Sequence, residues 1–155
     1  MQQIRANVFE TNSSSSHSLV ISEEGLLDLC PFSRHVMESG IIHIESSEYG
    51  WEVEYYNDVY SKLSYLFTDA MRGERNSVDF KEYSNEKLDL IKQAVKEHTG
   101  LECEFRTEDD VYYPYGYIDH QSVGLCEDVW DKGVEGVIQF VFNPGSYFET
   151  DNDNH

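Results

Sequence analysis

An α+β fold is predicted for this chain by three observations. Segments with strand alternation and segments with helical spacing follow one another in irregular order, the aromatic fraction is 14%, and a nearly all-apolar run stands at Val137–Phe142. The aromatic load is too high for a disordered acidic chain. The length of 155 residues fits one domain with a real core. The prediction is a single α+β domain over residues 1–150, with a mixed sheet and two main helices packed on one face. Residues 151–155, Asp151-Asn152-Asp153-Asn154-His155, read as an acidic flexible tail. Asp151-x-Asp153 also resembles the start of a calcium loop, but the glycine and distal glutamate of that loop are missing.

Ile4–Phe9 and Leu19–Ile21 are apolar stretches on either side of the polar segment Glu10–Ser18, which therefore reads as a tight turn inside the fold. Ser18–Ser22 reads as the strand leaving that turn, and Glu23–Leu29 as a short helix stopped before Pro31. Ile41–Glu45 is a strand with Ile42 and Ile44 on one face. Trp51–Tyr56 alternates, with Trp51, Val53 and Tyr55 on one side and Glu52, Glu54 and Tyr56 on the other.

Asn57 or Asp58 caps the first main helix, whose apolar stripe is Val59, Leu63, Leu66, Phe67, Ala70 and Met71, with Gly73 at its end. The second starts at a Ser84 cap, runs through Leu88, Ile91 and Val95 to His98, and ends at Gly100. Leu101–Arg106 follows as a strand, with Leu101, Cys103 and Phe105 inward and Glu102 and Glu104 outward. Thr107–Asp110 is an acidic turn, and Tyr112–Tyr117 a tyrosine-rich stretch broken by Pro114 and Gly116. A third, short helix spans Val123–Lys132 between a Ser122 cap and Gly133. Val137–Phe142 reads as a central strand buried on both faces. Asn143-Pro144-Gly145 is a turn, and Tyr147–Thr150 the last strand.

Charge bounds the function. Eleven Lys and Arg against 30 Asp and Glu leave a formal charge of −19. This argues against nucleic acid or an anionic membrane as a direct partner, because both demand basic patches. It allows plain solubility, cation binding, or docking onto a basic protein. No apolar run approaches the ~20 residues of a membrane span. Met1–Arg5 opens without a signal-peptide core, so a cytoplasmic protein is expected. Cys30, Cys103 and Cys126 are far apart and form no Cys-x-x-Cys pair; they read as reduced, buried thiols. No cofactor or metal is expected.

Two short segments carry candidate chemistry. The first is Asn12-Ser13-Ser14-Ser15-Ser16-His17, whose turn amides suit an anion and whose Ser16 and His17 are candidate catalytic groups. Sequence neighbours in a strand point to opposite faces, and Gly-x-Ser-x-Gly is lacking, so a turn satisfying its own backbone competes with that reading. The second is Asp119-His120-Gln121-Ser122, where Asp119 and His120 are an acid/base pair or simply the entry to the third helix. The single histidines His35, His43 and His98 have no metal-ligand spacing; His98 suits a helix C-terminus.

A third set is acidic. Glu52, Glu54, Glu102 and Glu104 lie at outward strand positions, Glu127 and Asp131 are like charges at i, i+4 on the third helix, and Glu108-Asp109-Asp110 adds a run of three. Such a surface is either a solvated face or an imitation of nucleic-acid phosphates that fills a basic groove. Tyr55, Tyr56, Tyr112, Tyr113 and Tyr115 would suit the second, since tyrosine is enriched in binding hot spots.

Val8-Phe9-Glu10-Thr11-Asn12-Ser13-Ser14-Ser15-Ser16-His17-Ser18-Leu19 resembles the opening of a bacteriophage and prophage protein family marked by an N-terminal Glu-Thr-Asn-Ser-Ser-Ser-Ser-His-Ser motif. Gly116–Ser122, Phe140–Asn143 and Asp151–Asn154 are similar to the same family. The resemblance implies a phage context and carries no catalytic assignment to any residue. The expected function is that of a phage-encoded acidic protein that binds and inhibits a basic, nucleic-acid-handling host protein in the host cytoplasm. Defence nucleases, RNA-guided ones included, are natural targets. The alternative is a small hydrolase or nucleotide-modifying enzyme built on Asn12–His17 and Asp119–Ser122.

Overall fold

The computed structural model describes residues 3–10, 16–22, 37–38, 40–50, 53–107, 114–118 and 126–150. In chain order these give β1 (Gln3–Glu10), β2 (Ser16–Ser22), β3 (Met37–Glu38), β4 (Ile41–Glu45), β5 (Glu48–Tyr49), β6 (Glu54–Tyr56), α1 (Val59–Ala70) and α2 (Glu86–Thr99). They continue with β7 (Glu102–Arg106), β8 (Tyr117–Ile118), α3 (Glu127–Asp131), α4 (Gly133–Val141) and β9 (Tyr147–Thr150). The expected helix at Glu23–Leu29, the acidic turn at 108–110 and the tail lie outside the described residues.

The class is α+β, with both antiparallel and parallel pairing. β1-β2-β9-β6 form an antiparallel sheet, β3-β4-β7 a second sheet whose β4–β7 pair is parallel, and β5-β8 a short parallel pair. The alternation in β4 and β7 behaves as the sequence predicts. Ile42 and Ile44 are fully buried, Cys103 and Phe105 face the same core, and Glu102 and Glu104 are exposed. The register sets Ile42 beside Cys103 and Ile44 beside Phe105.

Capping fixes the helix starts. The Asp58 carboxylate accepts from the Ser61 amide at 2.8 Å. The second helix is capped by Asn85 rather than the expected Ser84: its side-chain oxygen accepts from Lys87 N at 3.0 Å and Leu88 N at 3.2 Å. The same amide donates to Ala70 O at 3.2 Å, so one side chain opens α2 and holds the end of α1.

The main correction falls on Val137–Phe142. The run is the body of α4 and its C-cap, not a central strand. A short apolar run reads the same in a buried strand and a buried helix. Here Val137, Ile138, Phe140 and Val141 are all buried, because α1, α2, α3 and β2 surround α4. α3 is also shorter than the Val123–Lys132 span, covering Glu127–Asp131 within the described residues. Gly133 does end α3, but at φ 65° it turns the chain straight into α4.

A second correction concerns β6. Val53 and Tyr55, set by alternation opposite Glu54, are 70% and 55% exposed, whereas Tyr56 stacks on Phe148 at 4.7 Å. β6 is a three-residue edge strand whose partner among the described residues is β9, and Phe148 opposite Tyr56 draws that ring inward. Tyr49, Tyr65 and Phe148 continue the aromatic packing, with Tyr65 stacked on Phe148 at 4.0 Å. This cluster fastens the four-stranded sheet to α1.

Among the described glycines, Gly116 makes a tight backbone approach. Its φ is 74°, and a Cβ there would meet Ser47 O at 2.2 Å. The same carbonyl accepts from Tyr117 N at 3.0 Å, which joins β8 to the β4–β5 turn. Gly116→Ala is expected to cost roughly 2–5 kcal/mol from strain and overpacking together, read as a lowered urea midpoint at unchanged m-value.

Candidate functional site

The structure places the backbone of Ser16 and His17 at the start of β2, opposite Glu10 and Phe9 of β1. Asn12, Ser13 and Ser14 lie outside the described residues, as do Asp119, His120, Glu52 and Tyr113. The two polar segments are therefore not brought together by any described contact.

The remaining acidic candidates are all exposed but occupy three different elements: Glu54 on β6, Glu102 and Glu104 on β7, Glu127 and Asp131 on α3. Several have local partners. Glu102 takes Lys96 at 2.9 Å, Glu104 approaches His43 Nδ1 at 3.8 Å, and the Tyr56 hydroxyl donates to the Glu54 carboxylate. His43 is buried on β4, and its Nε2 lies 3.3 Å from the Arg106 guanidinium. Tyr115 is a correction: it is 3% exposed, and its hydroxyl donates to Asn76 O at 2.6 Å while accepting from Val78 N at 2.9 Å. It braces a loop instead of offering a contact surface.

An aromatic and acidic patch forms at the β6 edge. Val53 and Tyr55 are the large hydrophobic side chains left exposed among the described residues. Tyr55 stands opposite Glu149 in the β6–β9 register, and its ring lies 4.9 Å from that of Tyr147. Glu149 is exposed, accepts from Ser18 Oγ at 3.3 Å, and shares this face with Tyr55 and Tyr147. Partial desolvation, then the neighbouring Tyr147 and Glu149, push the Tyr55 hydroxyl pKa above its ordinary value. Sequence reasoning singled out Glu54 and Tyr55 but not Tyr147 and Glu149. The alternation in Tyr147–Thr150 was the available signal, though only the cross-strand register shows that it faces Tyr55.

A buried lysine also escaped the sequence reading. Lys62 is fully buried on α1; its amine donates to Asn143 O at 2.8 Å and Ser146 O at 2.9 Å, and lies 5.8 Å from the Phe140 ring centre. Around it, Asn143 Nδ2 donates to Ser22 O at 2.8 Å, Ser22 N to Ser146 Oγ at 2.7 Å, and Ser146 Oγ to Gln139 O at 2.6 Å. The network ties β2, α1 and the α4–β9 turn. The signal was present: Val59, Lys62, Leu63 and Leu66 follow i, i+3, i+4, i+7, which puts the lysine on the apolar stripe.

Cys103 and Cys126 are buried free thiols, a setting that disfavours the nucleophilic thiolate. Burial pushes Cys103 up to about 12 and Cys126 well above the ordinary thiol value. Among the described residues no group of His, Cys, Asp and Glu is arranged to hold a metal ion, and no helix is long and apolar enough to cross a membrane. Comparison with protein-family models, with curated proteins and with solved structures found no significant match.

Proposed function

We propose that this chain is a phage-encoded binding protein that docks on a basic, nucleic-acid-handling host protein in the host cytoplasm and blocks it. The observation that carries the reading is the patch at the β6 edge, where exposed Val53 and Tyr55 share one face with Tyr147 and Glu149. Tyrosine faces attract guanidinium and ammonium groups, and a flanking carboxylate such as Glu149 fixes them by charge-assisted hydrogen bonds. The occupant that fits is a Lys/Arg-rich segment of the kind that otherwise grips phosphates. The −19 formal charge draws such a segment in from a distance, and the tyrosines hold it at contact.

A labelled arginine-rich peptide tests this by stopped-flow and equilibrium anisotropy. Wild-type association is expected to slow steeply between about 50 and 200 mM salt, where the screening length shortens to about 8 Å or less. Tyr55→Ala should weaken binding about tenfold, mainly through faster dissociation, and Glu149→Lys should slow association. Unchanged affinity in both variants would remove the patch as the docking site. A host partner that bound its nucleic acid and this protein at once would rule out phosphate mimicry.

A further inference from the structure

A pocket of about 200 Å³ lies where the β4–β5 turn faces the first turns of α1. Its eight described lining residues are four serines, three tyrosines and Glu45, so each of them carries a hydroxyl or a carboxylate. Ser46 and Ser47 come from the turn, and Ser61 and Ser64 from the helix.

The turn is clamped on both sides of Ser46. Ser64 Oγ donates to Glu45 O at 2.6 Å, and Ser47 N donates to Thr68 Oγ1 at 3.1 Å, which fixes the turn on α1. Ser47 O accepts from Tyr117 N at 3.0 Å, which fixes it on β8. Across the pocket the Tyr49 hydroxyl donates to Ser61 O at 3.4 Å, and the Tyr49 and Tyr56 rings meet edge-on at 5.6 Å. Ser46 itself is 1% exposed, and its hydroxyl has no hydrogen-bond partner among the described residues. A buried hydroxyl left unpaired loses its hydration for nothing in return. The bonds at Glu45 and Ser47 keep the turn from shifting to relieve that cost. Ser46 borders the pocket, so a molecule bound there can supply the missing partner.

We infer that this pocket binds one neutral sugar ring, whose hydroxyls pair with Ser46, Ser61 and the Glu45 carboxylate. A serine hydroxyl both donates and accepts, which matches a ligand whose own groups do the same, and a carboxylate accepts from two adjacent hydroxyls at once. The tyrosine rings give the pocket apolar flanks for the ring's C–H faces. The volume lies below the ~300–1,000 Å³ of drug-sized sites, in keeping with a single ring. Glu45 and the −19 formal charge disfavour an anion. Tyr56 stacks on Phe148 while Tyr55 lies against Tyr147, on the other face of β6. The pocket is therefore separate from the Tyr55–Glu149 patch and does not rest on the docking reading.

Saturation-transfer NMR on the full chain, followed by titration, tests it with D-glucose, D-galactose and D-mannose, each free and as its methyl glycoside. At least one is expected to bind with a millimolar or lower Kd. A methyl glycoside that binds as well as its free sugar assigns the pocket to the end of a glycan, and binding of the free form alone assigns it to a free sugar. Ser46→Ala should weaken binding about threefold to tenfold at unchanged or raised Tm, because it removes an unpaired polar group from the fold. Ser61→Ala, at a half-buried position, should weaken it by a similar factor at nearly unchanged Tm. Ethanolamine and acetate, a small cation and a small anion, should not displace the sugar. The proposal is overturned if none of the sugars binds at tens of millimolar, or if Ser46→Ala and Ser61→Ala both bind as wild type does. Displacement by ethanolamine or acetate would overturn the assignment of a neutral ligand.

Discussion

Phe140→Asp is expected to abolish folding. Phe140 is fully buried in α4, and truncating a buried aromatic costs about 3–5 kcal/mol before any charge is considered. An unpaired carboxylate at the same place adds several more, against a total stability of about 5–15 kcal/mol for a domain of ordinary size. Lys62 lies close enough to raise the question of rescue by an ion pair. Its amine is already held by Asn143 O and Ser146 O, and an aspartate is shorter than the ring it replaces. A buried pair made there would still leave the desolvation of both charges uncompensated. Phe140→Leu, by contrast, should fold and lose about 1–2 kcal/mol. The readout is near-ultraviolet circular dichroism with a urea melt; a soluble Phe140→Asp variant with a cooperative melt would refute the packing described for α4.

That variant does not separate helix from strand at this run, but another contact does. Gln139 Nε2 donates to Glu135 Oε1 at 2.7 Å, an i, i+4 contact that an extended strand does not make. The polar residues that reveal the helical period sit at Glu135 and Gln139, at and just before the apolar run, and too few fall inside Val137–Phe142 to show it. β4 and β7 were legible because alternation on a half-buried strand repeats every second residue: Ile42 and Ile44 in, Glu102 and Glu104 out. α1 and α2 were legible because each has a cap residue followed by an apolar stripe. What sequence could not carry is long-range pairing. Tyr55 finds Glu149 only once β6 lies on β9. The exposure of Val53 and Tyr55 was likewise hidden, because which side of a short edge strand meets the core is decided by the neighbour, here Phe148.

Lys62→Met is expected to flatten the rise of stability with pH that the wild type shows above neutrality. Burial lowers the Lys62 pKa from 10.5 to about 7, with Asp58 opposing the shift weakly. The two carbonyls that receive its hydrogens match the two N–H groups of a neutral amine. Below pH 7 the folded and unfolded chains both hold the proton, the full cost of burying the charge is present, and this group contributes no slope. Between pH 7 and 10.5 the unfolded chain holds a proton that the folded chain has released, so stability rises with pH, by at most about 1.4 kcal/mol per pH unit. From pH 7 to 9 the gain is on the order of 2 kcal/mol. Above about pH 9 the buried thiols act in the opposite sense. Cys103 and Cys126 keep in the folded state protons that the unfolded chain loses from 9.0 upward, and Tyr49, raised from 10.0 chiefly by burial, adds to the fall at higher pH. The wild type should therefore be most stable near pH 9. Urea melts at about pH 7.5, 8.25 and 9, at fixed ionic strength, measure the rise. Lys62→Met leaves Asn143 O with the Ser146 N–H alone and takes from Ser146 O its lysine donor, so it should be less stable than wild type by about 1–3 kcal/mol at pH 9. The difference should shrink as pH falls toward 7, where the wild type takes on the cost of a buried ammonium that methionine does not have. Parallel stability curves for the two proteins over this range would mean that Lys62 stays charged in the fold, held as an ammonium by the same two carbonyls.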